Sequence, residues 1–253
     1  MAQGTINHLS YSQVSTYLTC PLRYRFQYVD VIPPTFMSAA LAFGSAIHES
    51  VAAFYQTRLE GDELRPHEML DVYRDTWSKS ENIKFFNGDG EESLREKAKQ
   101  MLSVFHGSVD PSVMILGVEE FFEFRLDGLP PFHGYIDLIE QADSGAVTVV
   151  DLKTASKKPS GSPAESNLQL TAYSLGASAI GFDPDELTLR LDVITKTKSP
   201  ELCRHETTRT ETDRDRFVKL VKHVWHAIEG HAFFPREDWH CNQCAWATHC
   251  NQW

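Results

Sequence analysis

Several things are missing from this sequence of 253 residues, and each absence narrows what the chain can be. Nothing in it approaches the roughly 20 consecutive apolar residues that span a bilayer. The first stretch, MAQGTINHLSYS, has no basic segment followed by an apolar one. No secretory leader is therefore expected, and a cytoplasmic, reducing location follows as the default. Cysteine is scarce and odd in number, with five in all, which argues against a disulfide framework. Basic residues are outnumbered, 24 Lys and Arg against 35 Asp and Glu, for a net charge of -11. That balance counts weakly against binding to phosphates by the whole surface and leaves room for a local basic channel. No GxxxxGK[ST] phosphate loop is present, so a nucleotide-driven motor would have to belong to a partner. There is no internal repeat and no low-complexity tract. Apolar residues at 42% and charged residues at 23% are those of an ordinary globular chain, long enough for one large domain or two small ones.

What is present falls into three textures. Residues 1–110 read as helices. Ser10 followed by Gln13 fits a capping box and predicts a helix over about 11–19. Pro21 suits the first turn of a second helix that continues through Tyr28, with Arg23, Tyr24, Arg25 and Phe26 alternating along it. Pro33 and Pro34 then force an extended break. Ile47, Val51, Phe54 and Tyr55 form one stripe of a helix from Gly44 to Leu59. Further helices are expected around 69–78 and 94–105, joined by a mobile loop at Asn87-Gly88-Asp89-Gly90.

Residues 111–230 change character. The stretches 113–126, 134–140 and 146–154 are rich in β-branched and aromatic residues. Asp127-Gly128 and Asp143-Ser144-Gly145 separate them as turns, predicting a three-stranded meander. A helix over 164–180, an alternating strand over 187–195, a partner strand over 202–210 and a helix over 213–229 follow. Residues 231–253 hold three of the five cysteines. The order predicts a mixed α/β or α+β fold in a single unit, 1–253, with a helical N-terminal lobe, a mixed-sheet core and a cysteine-rich closing segment.

Chemistry concentrates in the meander. Asp137 lies in Gly134-Tyr135-Ile136-Asp137, and Asp151 and Lys153 lie in Val149-Val150-Asp151-Leu152-Lys153-Thr154. The gap between the aspartates equals a strand, a turn and a second strand, so on adjacent antiparallel strands the carboxylates can converge. Period two puts Asp151 and Lys153 on one face with Leu152 on the other. Both aspartates sit among apolar residues, where an unpaired carboxylate is costly. Two such carboxylates suit Mg2+ or Mn2+, and a nearby lysine can orient a water and offset charge developing on phosphorus. A cross-strand Asp–Lys pair of little consequence is the plain alternative. Gln169 and Tyr173, four apart on the following helix, share a face that either points to solvent or holds a phosphate or water. His48, near Gly44-Ser45, is either a packed core histidine or a further metal ligand. Glu119 and Glu120 offer an extra carboxylate.

Cys241, Cys244 and Cys250 give C-x2-C-x5-C, whose first pair has a metal-chelating spacing. A tetrahedral site needs a fourth ligand, for which Cys20 is the candidate, while His240 and His249 neighbour ligands and can substitute. All-thiolate ligation suits zinc or an iron–sulfur cluster, and spacing does not separate the two. Phe233, Phe234, Pro235, Trp239 and Trp246 are expected to shield the group. Cys203, in a strand, is left over as a small apolar residue.

Leu9-Ser10-Tyr11-Ser12 with Cys20-Pro21, then Gly44-Ser45-Ala46-Ile47-His48, Gly134-Tyr135-Ile136-Asp137, Asp151-Leu152-Lys153-Thr154, and Gln169 to Tyr173 stand in a familiar order. The sequence resembles the RecB-like PD-(D/E)XK exonucleases. It looks most like the iron–sulfur subgroup with the CRISPR-adaptation exonucleases and the AddB nuclease domain. The resemblance implies a restriction-endonuclease-like core acting on DNA, single-stranded or with free ends. It implies His48, Asp137 and Asp151 as ligands of Mg2+ or Mn2+, Lys153 as catalytic lysine, and Gln169 and Tyr173 as the helix motif behind it. It assigns Cys20, Cys241, Cys244 and Cys250 to a [4Fe–4S] cluster, with structural zinc as the alternative. It suggests a helicase, CRISPR or recombination partner. Arg23, Arg25, Lys157, Lys158, Lys196 and Lys198 are candidate phosphate contacts, and Tyr24, Phe26 and Tyr28 are candidate base-stacking rings; the alternative, favoured for any single residue, is that the rings are core and the charges a solvated face.

Overall fold

A computed structural model describes residues 6–86, 88 and 90–253. Asn87 and Asp89 of the loop expected to be mobile lie outside the described residues. The chain opens with α1 (Tyr11–Thr19) and α2 (Pro21–Tyr24), continued by a π-helical turn over Arg25–Val29. The capping box of α1 forms only in half. Ser10 Oγ accepts the Gln13 amide at 3.3 Å, but the Gln13 side chain donates to the His8 carbonyl and accepts from the Tyr24 hydroxyl instead.

A short strand β1 (Met37–Ser38) leads into α3 (Ala39–Leu59). This helix starts five residues before the expected Gly44, because Ser38 caps it by accepting the Leu41 amide at 3.2 Å. His48 is therefore mid-helix. Then come α4 (Pro66–Ser78), β2 (Ile83–Lys84) and α5 (Glu91–Ser108). The meander follows as β3 (Met114–Phe124), β4 (Phe132–Gln141) and β5 (Val147–Ala155). The remainder is α6 (Leu168–Ala179), β6 (Thr188–Thr195), β7 (Leu202–Thr207), α7 (Glu211–Glu229), a 3-10 turn over Trp239–Gln243 and α8 (Ala247–Cys250).

The sheet runs β3-β4-β5-β6-β7, antiparallel except that β5 and β6 are parallel, with α6 making their crossover. Helices cover both faces. Val149, Leu191 and Val193 point into a core shared with Leu170 of α6 and Phe217 and Val221 of α7. Val150, Leu152 and Ile194 point into a second core against Ile47 and Val51 of α3 and Leu102 of α5. The alternation of β6 is thus not the sign of a wet face. Arg190 and Asp192 are buried, and Arg190 forms ion pairs with Asp192 and with Glu140 of β4. A buried charge is tolerated when it is so partnered.

The strands splay where the chemistry lies. β4 and β5 pair only from Gln141–Val147 to Leu138–Val150, after which β5 continues alone beside β6. Leu9 takes the vacated edge of β4, donating to the Pro131 carbonyl and accepting from the His133 amide. Among the described residues no helix is long and apolar enough to cross a membrane.

Candidate active site

One row of acids crosses three strands at this divergence. The register that pairs Val118 with Leu138 and Glu120 with Ile136 sets Glu119 across from Asp137. The register that pairs Leu138 with Val150 sets Asp137 across from Asp151. Asp137 replaces the missing ladder bond, since its Oδ2 accepts the Leu152 amide at 2.8 Å. The side chain thereby props the strands apart.

The other candidates gather around that carboxylate. His48 Nε2 lies 2.9 Å from Asp137 Oδ2, and its Nδ1 lies 3.5 Å from Glu119 Oε1. The Tyr173 hydroxyl donates to Asp137 Oδ1 at 2.6 Å, and Gln169 Nε2 donates to the Tyr173 hydroxyl at 2.9 Å. Lys153 Nζ reaches Asp151 Oδ1 at 2.5 Å. His48, Asp137, Tyr173 and Gln169 thus form one chain of contacts and Asp151 and Lys153 a second, and the Asp137 bond to the Leu152 amide sets the two side by side. The start of α6 is fixed by Asn167, whose side chain accepts the Gln169 and Leu170 amides. Buried Arg209 in turn binds the Ala164 and Asn167 carbonyls and the Thr171 hydroxyl. Sequence reasoning gave Arg209 no role, since its partners are about 40 residues away.

Glu119 was expected only as one of two spare acids. Glu120 stays outside the cluster, whereas one ligand atom from each of His48, Glu119 and Asp137 lies within 4.8 Å of the others. Donors on opposite sides of one Mg2+ stand about 4.2 Å apart, so this set fits a hard cation. Glu119 reaches the site through a left-handed backbone, φ 50°, just after a register shift between Ile115 and Gly117. Such a conformation costs a non-glycine residue on the order of 1 kcal/mol or more.

The charges fit a cation as well. Asp151 is fully buried, and its Oδ2 has no hydrogen-bond partner. Burial pushes its carboxyl up to about 6, with Asp137 adding to the rise and Lys153 opposing it. Asp137 goes the other way. Burial works against its ionisation, but the His48 hydrogen bond, the His48 charge and Lys153 hold it below the usual carboxylate range. Burial also lifts Glu119. Burial opposes a charge on His48, yet the hydrogen bond and charge of Asp137 and the charge of Glu119 raise it. Two carboxylates pushed apart, one holding an orphan oxygen, make a site short of positive charge.

The cysteines line a separate cavity of about 320 Å³ between α2 and the closing segment. Cys20, Cys241, Cys244 and Cys250 all border it, and the other three press on Cys250, whose thiol burial first and these neighbours next push up. Cys203 is in β7, in the core. Of the expected shielding residues only Pro235 and Trp246 line the cavity. Phe233 packs on Tyr17 and Tyr24, while Phe234 and Trp239 are exposed, and the small core of the closing segment takes in Trp246 instead.

The expected DNA contacts need correction too. Tyr24 and Phe26 are buried and Tyr28 packs on Tyr24, so these rings build the core and do not stack bases. Arg25 is held by Asp30 at 3.0 Å and Lys158 by Glu201 at 2.6 Å. Arg23 lies over Trp246 and Lys196 over Phe43. Lys157 and Lys198 remain exposed.

Comparison with known proteins agrees with this geometry. The family model of the PD-(D/E)XK nuclease superfamily matches residues 8–251. Among solved structures, a candidate exonuclease from Eubacterium rectale superposes with a TM-score of 0.59 at 12% identity, over 97% of this chain and 88% of that one, a likeness of fold. The structure of SSO0001 aligns over 99% of this chain and 89% of that one at 17% identity, with a TM-score of 0.47. No match was found among curated proteins.

Proposed function

The chain belongs to the PD-(D/E)XK nuclease superfamily, and from that premise we propose that it is a divalent-metal-dependent DNA exonuclease acting on single strands or free ends. The observation that carries this reading is the acid row Glu119–Asp137–Asp151 with Lys153 beside it. Mg2+ or Mn2+ held by Asp137 and Asp151, with His48 and Glu119, would supply Lewis-acid polarisation of the phosphodiester and a bound water of lowered pKa. The protein's own groups do the rest. Lys153 presents its ammonium where a water can be oriented and negative charge offset. Tyr173 and Gln169 fix the rotamer of Asp137 through two successive hydrogen bonds. A cleft of about 390 Å³ beside Lys153 and His48, walled by Leu41 and Gly44, gives the substrate a way in. Exonuclease character draws on the Eubacterium rectale structure and on the RecB-like order of motifs.

The four cysteines are proposed to hold a [4Fe–4S] cluster in a reducing compartment. Thiolates on one zinc stand about 3.8 Å apart, from Zn–S bonds of about 2.3 Å. No three of the described cysteine sulfurs lie within 4.8 Å of one another, and the cavity between them has the room of a larger group. Iron and zinc analysis of purified protein separates the two.

The test is cleavage of end-labelled linear single-stranded DNA with Mn2+ or Mg2+ by wild type and by Asp151→Ala. Metal-dependent loss of label that the variant lacks is expected. Circular single-stranded DNA should survive, and its opening would make the enzyme an endonuclease. No cleavage of any DNA by folded, cofactor-loaded wild type would leave a binding module.

A further inference from the structure

The strands that carry Glu119 and Asp137 continue past the acid row, and the face that presents the acids next presents rings. The β3–β4 register pairs Phe121 with Tyr135 and Glu123 with His133. The two-residue repeat puts 119, 121 and 123 on one side with 133, 135 and 137. Phe121 and Tyr135 are 46% and 55% exposed, with centroids 5.4 Å apart. Phe121 is 5.6 Å from His133, which stacks on His8 at 3.9 Å. Four rings thus run in a file from the acid row outward. The intervening residues Phe122 and Phe132 turn the other way and are buried, so packing accounts for them but not for the outward set.

We infer that Phe121 and Tyr135, continued by His133 and His8, are the platform on which a single strand of DNA stacks its bases while a phosphodiester reaches the acid row. This rests on the nuclease reading above and adds to it the side chains that hold the substrate's bases. The occupant follows from position and chemistry. Tyr135 is one two-residue step, about 6.7 Å, from Asp137 on the same face of one strand. A strand lying along that face sets its phosphates at the acids and its bases on the rings. Flat apolar rings recognise the faces of bases without regard to sequence. The file is not built for charge. Glu123 is paired with Arg125 at 3.5 Å, and burial and then His133 hold His8 below the usual histidine range. Bases in a duplex already stack on each other, so the platform selects single-stranded or frayed DNA.

The test is fluorescence anisotropy of a labelled 12-mer oligothymidylate and a fully abasic 12-mer, with Ca2+ and the intact, cofactor-loaded protein. Phe121→Ser with Tyr135→Ser should weaken oligothymidylate binding at least tenfold, since each stacked base contributes about five- to 150-fold. The abasic strand should bind both proteins alike, and Phe121→Trp with Tyr135→Trp should restore affinity. Unchanged oligothymidylate affinity in the folded serine variant overturns the platform and leaves the nuclease standing. Equal weakening for both strands overturns it as well, because the rings would then act only through the fold. A wild-type dimer that the serine variant abolishes would assign the face to a second copy and overturn it too. Failure of wild type to bind either strand removes the nuclease reading and the platform together.

Discussion

Asp151 keeps a carboxylate fully buried with one oxygen unpartnered, and its ionisation is the residue-scale feature with the clearest consequence. Its folded pKa, about 6, lies above the ordinary value of 3.8. The stabilisation from holding it protonated is therefore complete below about pH 4 and is lost as pH rises through 6. Metal-free wild type should lose thermal stability between about pH 4 and 6, and Asp151→Asn should flatten that fall in a melting series. Mn2+ should raise the wild-type Tm more at pH 7.5 than at pH 5.5, because binding must displace the Asp151 proton. An equal shift at both pH values would mean that the ion binds elsewhere. Glu119 carries a different tension. Glu119→Gly should relieve a strained φ and gain about 1 kcal/mol of stability in chemical denaturation while weakening Mn2+ affinity at least tenfold by calorimetry. Asp137, Asp151 and Lys153 were legible because a strand's two-residue period and a tight turn suffice to bring them together. Glu119 was not, because an irregular register and a left-handed residue have no pattern in the sequence.

Among the elements, α6 decides whether the group behind Asp137 holds. It packs so closely on β3 that a Cβ at Gly176 would stand 2.5 Å from the Phe122 ring, and one at Gly134 of β4 would stand 2.9 Å from it. Gly176→Ala should cost about 1–3 kcal/mol, a fall in Tm of roughly 2–10 °C. It should also lower cleavage by displacing Tyr173 one turn away. Unchanged melting would show that Phe122 can turn aside. The strands of the meander were readable to within about two residues from apolar patterning and turn residues, whereas α3 begins five residues before its expected start and β1, β2 and α8 had no expectation. The aromatics around α2 were open to two readings, base-stacking rings or core, and the choice turns on the neighbours that distant segments bring. Tyr24 lies under Phe233, a contact that no local pattern announces.

On the scale of the whole molecule, the segment around Cys20 and the segment around Cys244 form one structure. The Tyr17 hydroxyl donates to the Ala232 carbonyl, the Leu22 amide to that of Phe234, and Trp246 Nε1 to that of Ile32. Closing a loop of about 220 residues restrains the unfolded chain strongly, and a metal group there would convert its affinity into folding energy. Cys244→Ala should therefore lose colour and soluble yield together, and full thermal stability in that variant would sink the structural role. The spacing C-x2-C-x5-C suggested a site with Cys20 as the fourth candidate, and the fold sets all four cysteines around one cavity. This stitching also bears on truncation. A chain that stops short of residue 232 keeps every strand of the sheet and leaves the Tyr17 hydroxyl, the Leu22 amide and the Ile32 carbonyl without these partners. Leu9 and Val14 would still pack in the core that α6 and α7 share. Such a truncation should therefore hold an assembled sheet and melt at a lower temperature than residues 1–253.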